Sequence, residues 1–459
     1  MSTQMRTMLR SIFIVEPQER LKLLFLAIAF FFVIAGYTIA RDLKDAIFLN
    51  VVGREWIPTA KISSMIVLIP AILFYSFLVN RVRRYQLLVI YTTFYGIMLL
   101  AIAYFVGHPT IGMMNTQPNS MRFFGWLVYF LIEGYSPFVV GTFWAFANSI
   151  NDPESAKKNY GLMVSASKLG GAMSAGGAWW FFSWCAQLNS FAFDIFAHQI
   201  AFFMASLCML CVPITIFWLI KKVPGQYLHG YEAAYQVEKE RGKEKRKSGI
   251  LEGLFLLIKY PYVMGIFGII YFYEVIAAIF SYLRLGVAQE YVNASAKTAF
   301  LFQVYFVSHL IGLCIALIGT RILLSWLGTR ACLLLIPLLS GVLLFYAMVG
   351  GTSQAIVFAF IALKAVNYAF SYPVRESLYI PTVKDIKFKS KSWIDAFGSK
   401  FARASGSIAN VVMPSYSSQL FWPAHSFFFA IVVSLWFITA FLLGKRFERA
   451  IKHDEVIGI

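Results

Sequence analysis

Charge is what this sequence has least of. Only 14% of its 459 residues are Asp, Glu, Lys or Arg, against about a quarter in an average soluble domain, while 59% are hydrophobic. That balance excludes a soluble globular chain and points to a polytopic membrane protein. Acidic residues are the scarcer sign, 22 against 40 basic ones, for a formal charge of +18. Cysteine is also sparse. The five lie in or beside apolar runs, and Cys208-x-x-Cys211 has neither a second pair nor a neighbouring histidine pair, so we read them as small buried hydrophobes. Metal-ligand spacing, a nucleophile motif and a Gly-rich phosphate loop are missing, which argues against an enzyme and implies no metal and no cofactor. The first residues carry no small-residue cleavage site after a short apolar core, so no cleaved signal peptide is expected.

What the chain has in abundance is apolar runs long enough to cross a bilayer, which takes about 20 residues each. About twelve recur by hydropathy: Leu21 to Leu49, Ile57 to Asn80, Tyr85 to Val106, Phe123 to Ile150, Tyr160 to Trp184 and Gln199 to Ile220, then Tyr262 to Leu283, Ala299 to Thr320, Cys332 to Val349, Ala355 to Tyr372, Trp393 to Met413 and Ser426 to Gly444. The fold class expected is all-α, in two six-helix halves of the major facilitator type. Residues 1–220 and 260–459 would be the halves, and 221–259, containing EKERGKEKRKS, a cytoplasmic linker. A weak repeat supports this. Ser136-Pro137, a basic loop and Ser167-Lys168-Leu169 parallel Tyr372-Pro373, a basic loop and Ser399-Lys400-Phe401, while Arg81 and Arg321 each end the second span of a half.

Loop charge sets the expected orientation. With the N-terminus inside, Arg81 to Arg84, Lys157 and Lys158, the linker, Arg321 and Arg330, Lys384 to Lys391 and Lys445 to Lys452 all fall on the cytoplasmic side, as the positive-inside rule requires. The basic balance then needs no nucleic acid partner. The location implied is the inner membrane of a bacterium, multi-pass, with both termini cytoplasmic, lipid around the chain and a monomeric state.

Charges inside the spans matter most, because an Asp, Lys or Arg at a helix centre costs about 2.5–3.5 kcal/mol on insertion scales. The first span ends in GYTIARDLKDAIFL. The apolar pattern resumes at Ile47, so the helix should run on through Arg41 and Asp45, which could pair one turn apart and leave Lys44 to face something else; the alternative is that these charges mark the outer interface. Glu133 sits in FLIEGYSPFVVGTFWAFAN, where Pro137 and Gly141 can loosen the helix. Lys168 shares a face with Gly161, Ser165, Ala172 and Ala175. Glu274 is the one acid of IIYFYEVIAAIF. In the eleventh span Asp395, Ser399, Arg403 and Ser407 repeat every four residues beside Lys400, one polar face expected to look into a cavity, or else packing ion pairs such as Asp395 with Lys400. Cations outnumber acids: Lys44, Lys61, Lys168, Lys364, Arg375, Lys400 and Arg403 stand against Asp45, Glu133, Glu274, Glu376 and Asp395. Converging cations suit a multiply charged anion, and arginine suits bidentate phosphate contacts. Tyr135, Trp144, Tyr271, Tyr273 and Tyr372 could stack a base.

The pieces YTIARDLKD, FWAFANSINDPESAKKNYGLMVSASKLGG, YFYEVIAAIF and ESLYIPTVKDIKFKSKSWIDAFGSKFARASG resemble, in order, the ATP/ADP translocases of obligate intracellular bacteria and plastids. The resemblance implies an antiporter exchanging nucleotides, ADP for external ATP, with other members carrying further nucleotides, some with protons. It implies transport roles for Lys44, which matches the lysine of an Arg-Asp-x-Lys-Asp motif, for Glu133 and Glu274, close to acids of the fourth or fifth and the seventh spans, and for Arg403, where relatives carry lysine in Gly-Lys-Ser-Gly-Gly. Arg375 replaces the lysine of a Pro-Thr-Lys-Glu motif. The residues expected to bind substrate are therefore Lys44, Glu133, Lys168, Glu274, Arg375, Lys400 and Arg403. Two other readings stay open: a transporter of another organic phosphate or anion, by exchange or proton coupling, and a non-transporting membrane scaffold or sensor with the same fold.

Overall fold

The computed structural model describes residues 17–79, 81–150, 153–224, 228, 250–318, 320–367, 371–383, 386, 390–413, 419–453 and 455–458. Most of the linker 221–259, the loop lysines Lys384, Lys387 and Lys389, the burial of Gly161, and the side chains of Lys157, Lys158, Arg321, Tyr372 and Glu376 lie outside what is described.

A backbone in hydrocarbon has no water to bond, so each crossing segment must satisfy its own N–H and C=O groups, and the helix does this within one segment. Among the described residues there is accordingly no strand, only a parallel bridge between Thr382 and Ile457. The helices are α1 (Pro17–Val51), α2 (Ile57–Val79), α3 (Arg84–Val106), α4 (Phe123–Glu133), α5 (Gly141–Ile150), α6 (Pro153–Gln187), α7 (Phe191–Lys222), α8 (Ile250–Lys259), α9 (Pro261–Ala288), α10 (Ala294–Ile318), α11 (Thr320–Gly350), α12 (Ser353–Val366), α13 (Tyr372–Leu378), α14 (Ser399–Val412) and α15 (Phe421–Lys452). Each of the apolar runs named above falls on one or more of them. Nine helices among the described residues are long and apolar enough to cross a membrane; α6, α12 and α14 are not among the nine. Large apolar side chains stand exposed along these helices, among them Phe74, Phe345 and Phe427, the inverse of a water-soluble surface and the outer face a lipid-facing bundle needs.

The chain forms two compact units. The first comprises Met1–Val51, Ile69–Arg246 and Asn293–Phe302; the second comprises Val52–Leu68, Lys247–Val292 and Gln303–Ile459. In the first unit α1 packs along α6 and α7, and α3 packs on α7. Gly170 of α6 makes a close approach to α1, since a Cβ there would come within 2.6 Å of the Phe31 carbonyl oxygen. Of the small-residue face that carries Lys168, Ala172 and Ala175 are buried, and Gly170 adds a second close contact about 200° around the helix from Lys168. In the second unit α9 packs on α12, α14 and α15, and α11 packs on α12 and α15. Gly406 of α14 plays the part of Gly170 here: a Cβ would meet the Val275 carbonyl oxygen at 2.6 Å.

Two places depart from regular helix. A π turn, Ser136–Val140, joins α4 to α5. Pro137 has no N–H to return to the Glu133 carbonyl, so the ladder slips by one residue just after that glutamate. A second π turn, Ile394–Gly398, leads into α14 and contains Asp395. Outside the spans, Arg122 ties the loop before α4, donating to the carbonyls of Asn115 (3.0 Å), Gln117 (3.1 Å) and Ile111 (3.2 Å) and closely to that of Gly112. Partial burial lowers its guanidinium from the ordinary arginine value.

Candidate functional site

In the first unit one charge of α1 is met by an acid from another helix. Lys44 Nζ donates to Glu133 Oε1 at 2.6 Å and stands 3.5 Å from Asp45 Oδ1. Its ammonium also lies 4.3 Å above the centre of the Tyr129 ring, a fully buried side chain. The Lys44 side chain is 6% exposed and that of Glu133 16%, so this pair is largely withdrawn from solvent. Arg41 reaches its neighbour Asp42 at 3.4 Å, and Asp42 is wholly buried. Lys168, half-buried on α6, lies within electrostatic reach of Arg41. The helix does continue through the motif, as expected; Lys44 is left facing Glu133.

The second unit builds its pair in the other geometry. Arg403 donates twice to Glu274, Nε to Oε2 at 2.8 Å and Nη2 to Oε1 at 3.2 Å, the fork that matches a planar guanidinium to a carboxylate. The glutamate side chain is 13% exposed and the arginine 45%, so the pair opens on its basic side. Lys364 and Arg375 act on the same carboxylate. Glu274 lies 13 residues from one end of α9 and 14 from the other, about 20 Å either way at about 1.5 Å per residue, which is mid-span. Lys400 is half-buried one turn before Arg403.

Other expectations change. Of the stripe Asp395, Ser399, Arg403, Ser407, the last three lie on regular α14, while Asp395 lies in the π turn over Ile394–Gly398 that precedes it. The stripe's serines bond inward to their own helix, Ser399 Oγ to the Asp395 carbonyl and Ser407 Oγ to the Arg403 carbonyl, both at 2.8 Å. Among the candidate base-stacking aromatics, Tyr135 is buried and donates to the Val33 carbonyl at 2.9 Å. Tyr273 is buried against Trp436, and Trp144 packs edge-on to Phe30 and Phe143. Tyr271 remains half-buried beside Phe401.

Sequence reading also missed three groups. Tyr129 under Lys44 looked like one more apolar aromatic. Arg284, fully buried, has its guanidinium 4.7 Å from the Tyr305 ring centre and 5.0 Å from that of Phe360. His198 bonds Thr298 Oγ1 at 2.8 Å and the Asp194 carbonyl at 2.7 Å, while Asp194 Oδ1 accepts from the Ser295 N–H at 3.3 Å. Such partners lie far apart in the chain and leave no periodic signal. Among the described residues no group of three His, Cys, Asp or Glu could hold a metal ion. A groove of about 500 Å³ between α11 and α15 is lined by apolar residues such as Leu338, Phe345 and Phe437; none of the charged candidates lines it.

The fold is shared widely. The chain is 14% identical to a D-xylose-proton symporter, with a TM-score of 0.65 over 92% of this chain and 96% of that one. It is also 14% identical to a nucleoside transporter, with a TM-score of 0.57 over 92% and 98%; at such identity the likeness shows the major facilitator fold alone. In sequence it is 23% identical to ADP,ATP carrier protein 4 of Rickettsia conorii over 96% of this chain and 94% of that protein. ADP,ATP carrier protein 1 of the same organism is 21% identical, over 96% of both. The family model for the TLC ATP/ADP transporter matches residues 1–447, and this multi-pass membrane protein therefore belongs to the TLC ATP/ADP transporter family.

Proposed function

We propose that this protein is an antiporter that exchanges nucleotides across a membrane, ATP against ADP, by alternating access, with Lys44, Lys168, Arg375, Lys400 and Arg403 as the cations that meet phosphate and Glu133 and Glu274 as their counter-ions. The observation that carries the reading is the Arg403 fork on Glu274 at mid-span, with two further cations acting on that one carboxylate. The names of the family and of its Rickettsia relatives point the same way. A guanidinium at that depth is tolerated because the glutamate neutralises it. A phosphate presents the same pair of oxygens to the fork and carries more charge. Substrate then replaces carboxylate at Arg403, so the guanidinium has an anionic partner in either condition. In the first unit Glu133 serves Lys44 in the same way.

The finer placement is part of the proposal. Positive loops put both termini in the cytoplasm of a bacterium and the protein in its inner membrane, as a monomer of two six-helix halves, residues 1–220 and 260–459, tied by 221–259. No cofactor or catalytic step is needed, since transport asks only for a site that faces one side and then the other.

The test is counter-exchange in liposomes loaded with unlabelled ADP or ATP and given radiolabelled ATP outside, with and without a proton gradient. Uptake that requires internal nucleotide is expected, with Arg403→Ala reducing it at least about tenfold, the equivalent of about 1.4 kcal/mol. Uptake indifferent to internal nucleotide, or driven only by the proton gradient, would overturn exchange; preferential competition by sugar phosphates would reassign the substrate.

A further inference from the structure

We infer that Lys364 is a further phosphate-binding residue, so that the polyphosphate end of the substrate is received by the Glu274 group of the second unit. The inference rests on the nucleotide-exchange reading and assigns a residue outside the seven expected to bind substrate.

Three observations place Lys364 there. It is the one charge of α12, SQAIVFAFIALKAV, and helix resumes beyond it at α13, so it sits well inside the tenth apolar run. Charge so placed is costly and marks a functional position by default. It stands over aromatic surface, its Nζ 5.7 Å from the centre of Phe360 and 5.9 Å from that of Tyr273. Tyr273 is the neighbour of Glu274 in α9, so these rings hold the ammonium beside the glutamate's turn of helix. The carboxylate on which it acts already accepts both of its short bonds from Arg403.

Geometry then divides the labour between the units. Lys44 is enclosed by Glu133, Asp45 and the Tyr129 face, three partners for one ammonium. Around Glu274, the cations Arg403, Lys364 and Arg375 all act on the carboxylate. A ligand carrying several negative charges gains more at the second group, and its terminal phosphates can engage Arg403 and Lys364 together. A nucleoside polyphosphate fits that arrangement; a singly charged anion would use only part of it.

The experiment measures inhibition of radiolabelled ATP exchange by unlabelled AMP, ADP, ATP and inorganic triphosphate, in wild type and in Lys364→Gln and Lys364→Arg proteins of verified melting temperature. Loss of a charge-assisted phosphate contact should raise the half-inhibitory concentration of ATP and triphosphate in Lys364→Gln by about tenfold. ADP should be affected less and AMP least, with Lys364→Arg close to wild type. An equal loss for all four competitors would reduce Lys364 to a packing role, and unchanged inhibition in Lys364→Gln would likewise overturn the assignment. A wild-type protein that exchanges no nucleotide overturns the functional reading instead, so the two failures are distinct.

Discussion

Lys44 and Arg403 are both cations with a glutamate partner, yet removing each leaves something different behind. Lys44 is 6% exposed and its partner Glu133 16%, with Asp45 also at hand. Lys44→Met would strand two carboxylates in a nearly dry site, and breaking a buried pair from one side costs about 3–5 kcal/mol. Arg403→Met uncovers Glu274, which Lys364 and Arg375 still act on, so it should cost less. Thermal unfolding in detergent is expected to place the Lys44→Met melting temperature well below that of Arg403→Met, while exchange activity falls in both. Equal melting temperatures would mean that the Lys44 pair is not buried as described. The double swap Lys44→Glu with Glu133→Lys should restore part of the stability, because the geometry tolerates either polarity better than two like charges.

At the scale of the element, helix contacts decide how far apart the charges stand. Gly406 lies against the Val275 carbonyl, one residue from Glu274 and three from Arg403, so α14 and α9 meet closely just where their ion pair forms. Gly406→Ala would place a methyl group 2.6 Å from backbone oxygen, and overpacking of this kind typically costs about 1–3 kcal/mol. We expect a lower melting temperature together with reduced exchange, because the shift that relieves the clash also stretches the Arg403 fork. Full exchange in Gly406→Ala would show that α14 can move away from α9 without consequence. The π turns belong to the same scale. The slip after Glu133 follows from Pro137 and was readable as a loosened helix; the turn at Ile394–Gly398 contains no proline, and its place at the start of the polar stripe was not readable from spacing.

At the scale of the molecule, the alternation of basic loops makes a prediction independent of substrate. Proteins tagged at either end and expressed in a bacterium should keep both tags protected from external protease in intact cells and lose both when the inner membrane is opened. One accessible terminus in intact cells would break the arrangement of even-numbered spans. The pairs Lys44–Glu133 and Glu274–Arg403 each close within one unit, so each of these charges has its counter-ion in its own unit.

The amino-acid sequence by itself determined the helices, their approximate ends and which of them carry charge, because hydropathy and helical period act along the chain and depth follows from position in a run. It also marked Lys44, Glu133, Glu274 and Arg403 as charges that needed partners. Only the tertiary structure decided who the partners are. Lys44 and Glu133 are 89 residues apart and Glu274 and Arg403 are 129 apart, and no periodicity reports which helix faces which. The same limit explains why Tyr129, Arg284 and His198 stayed undistinguished. Their roles come from rings and acids on neighbouring helices, and in a chain where 17% of residues are aromatic composition cannot single out the few that lie beneath a cation.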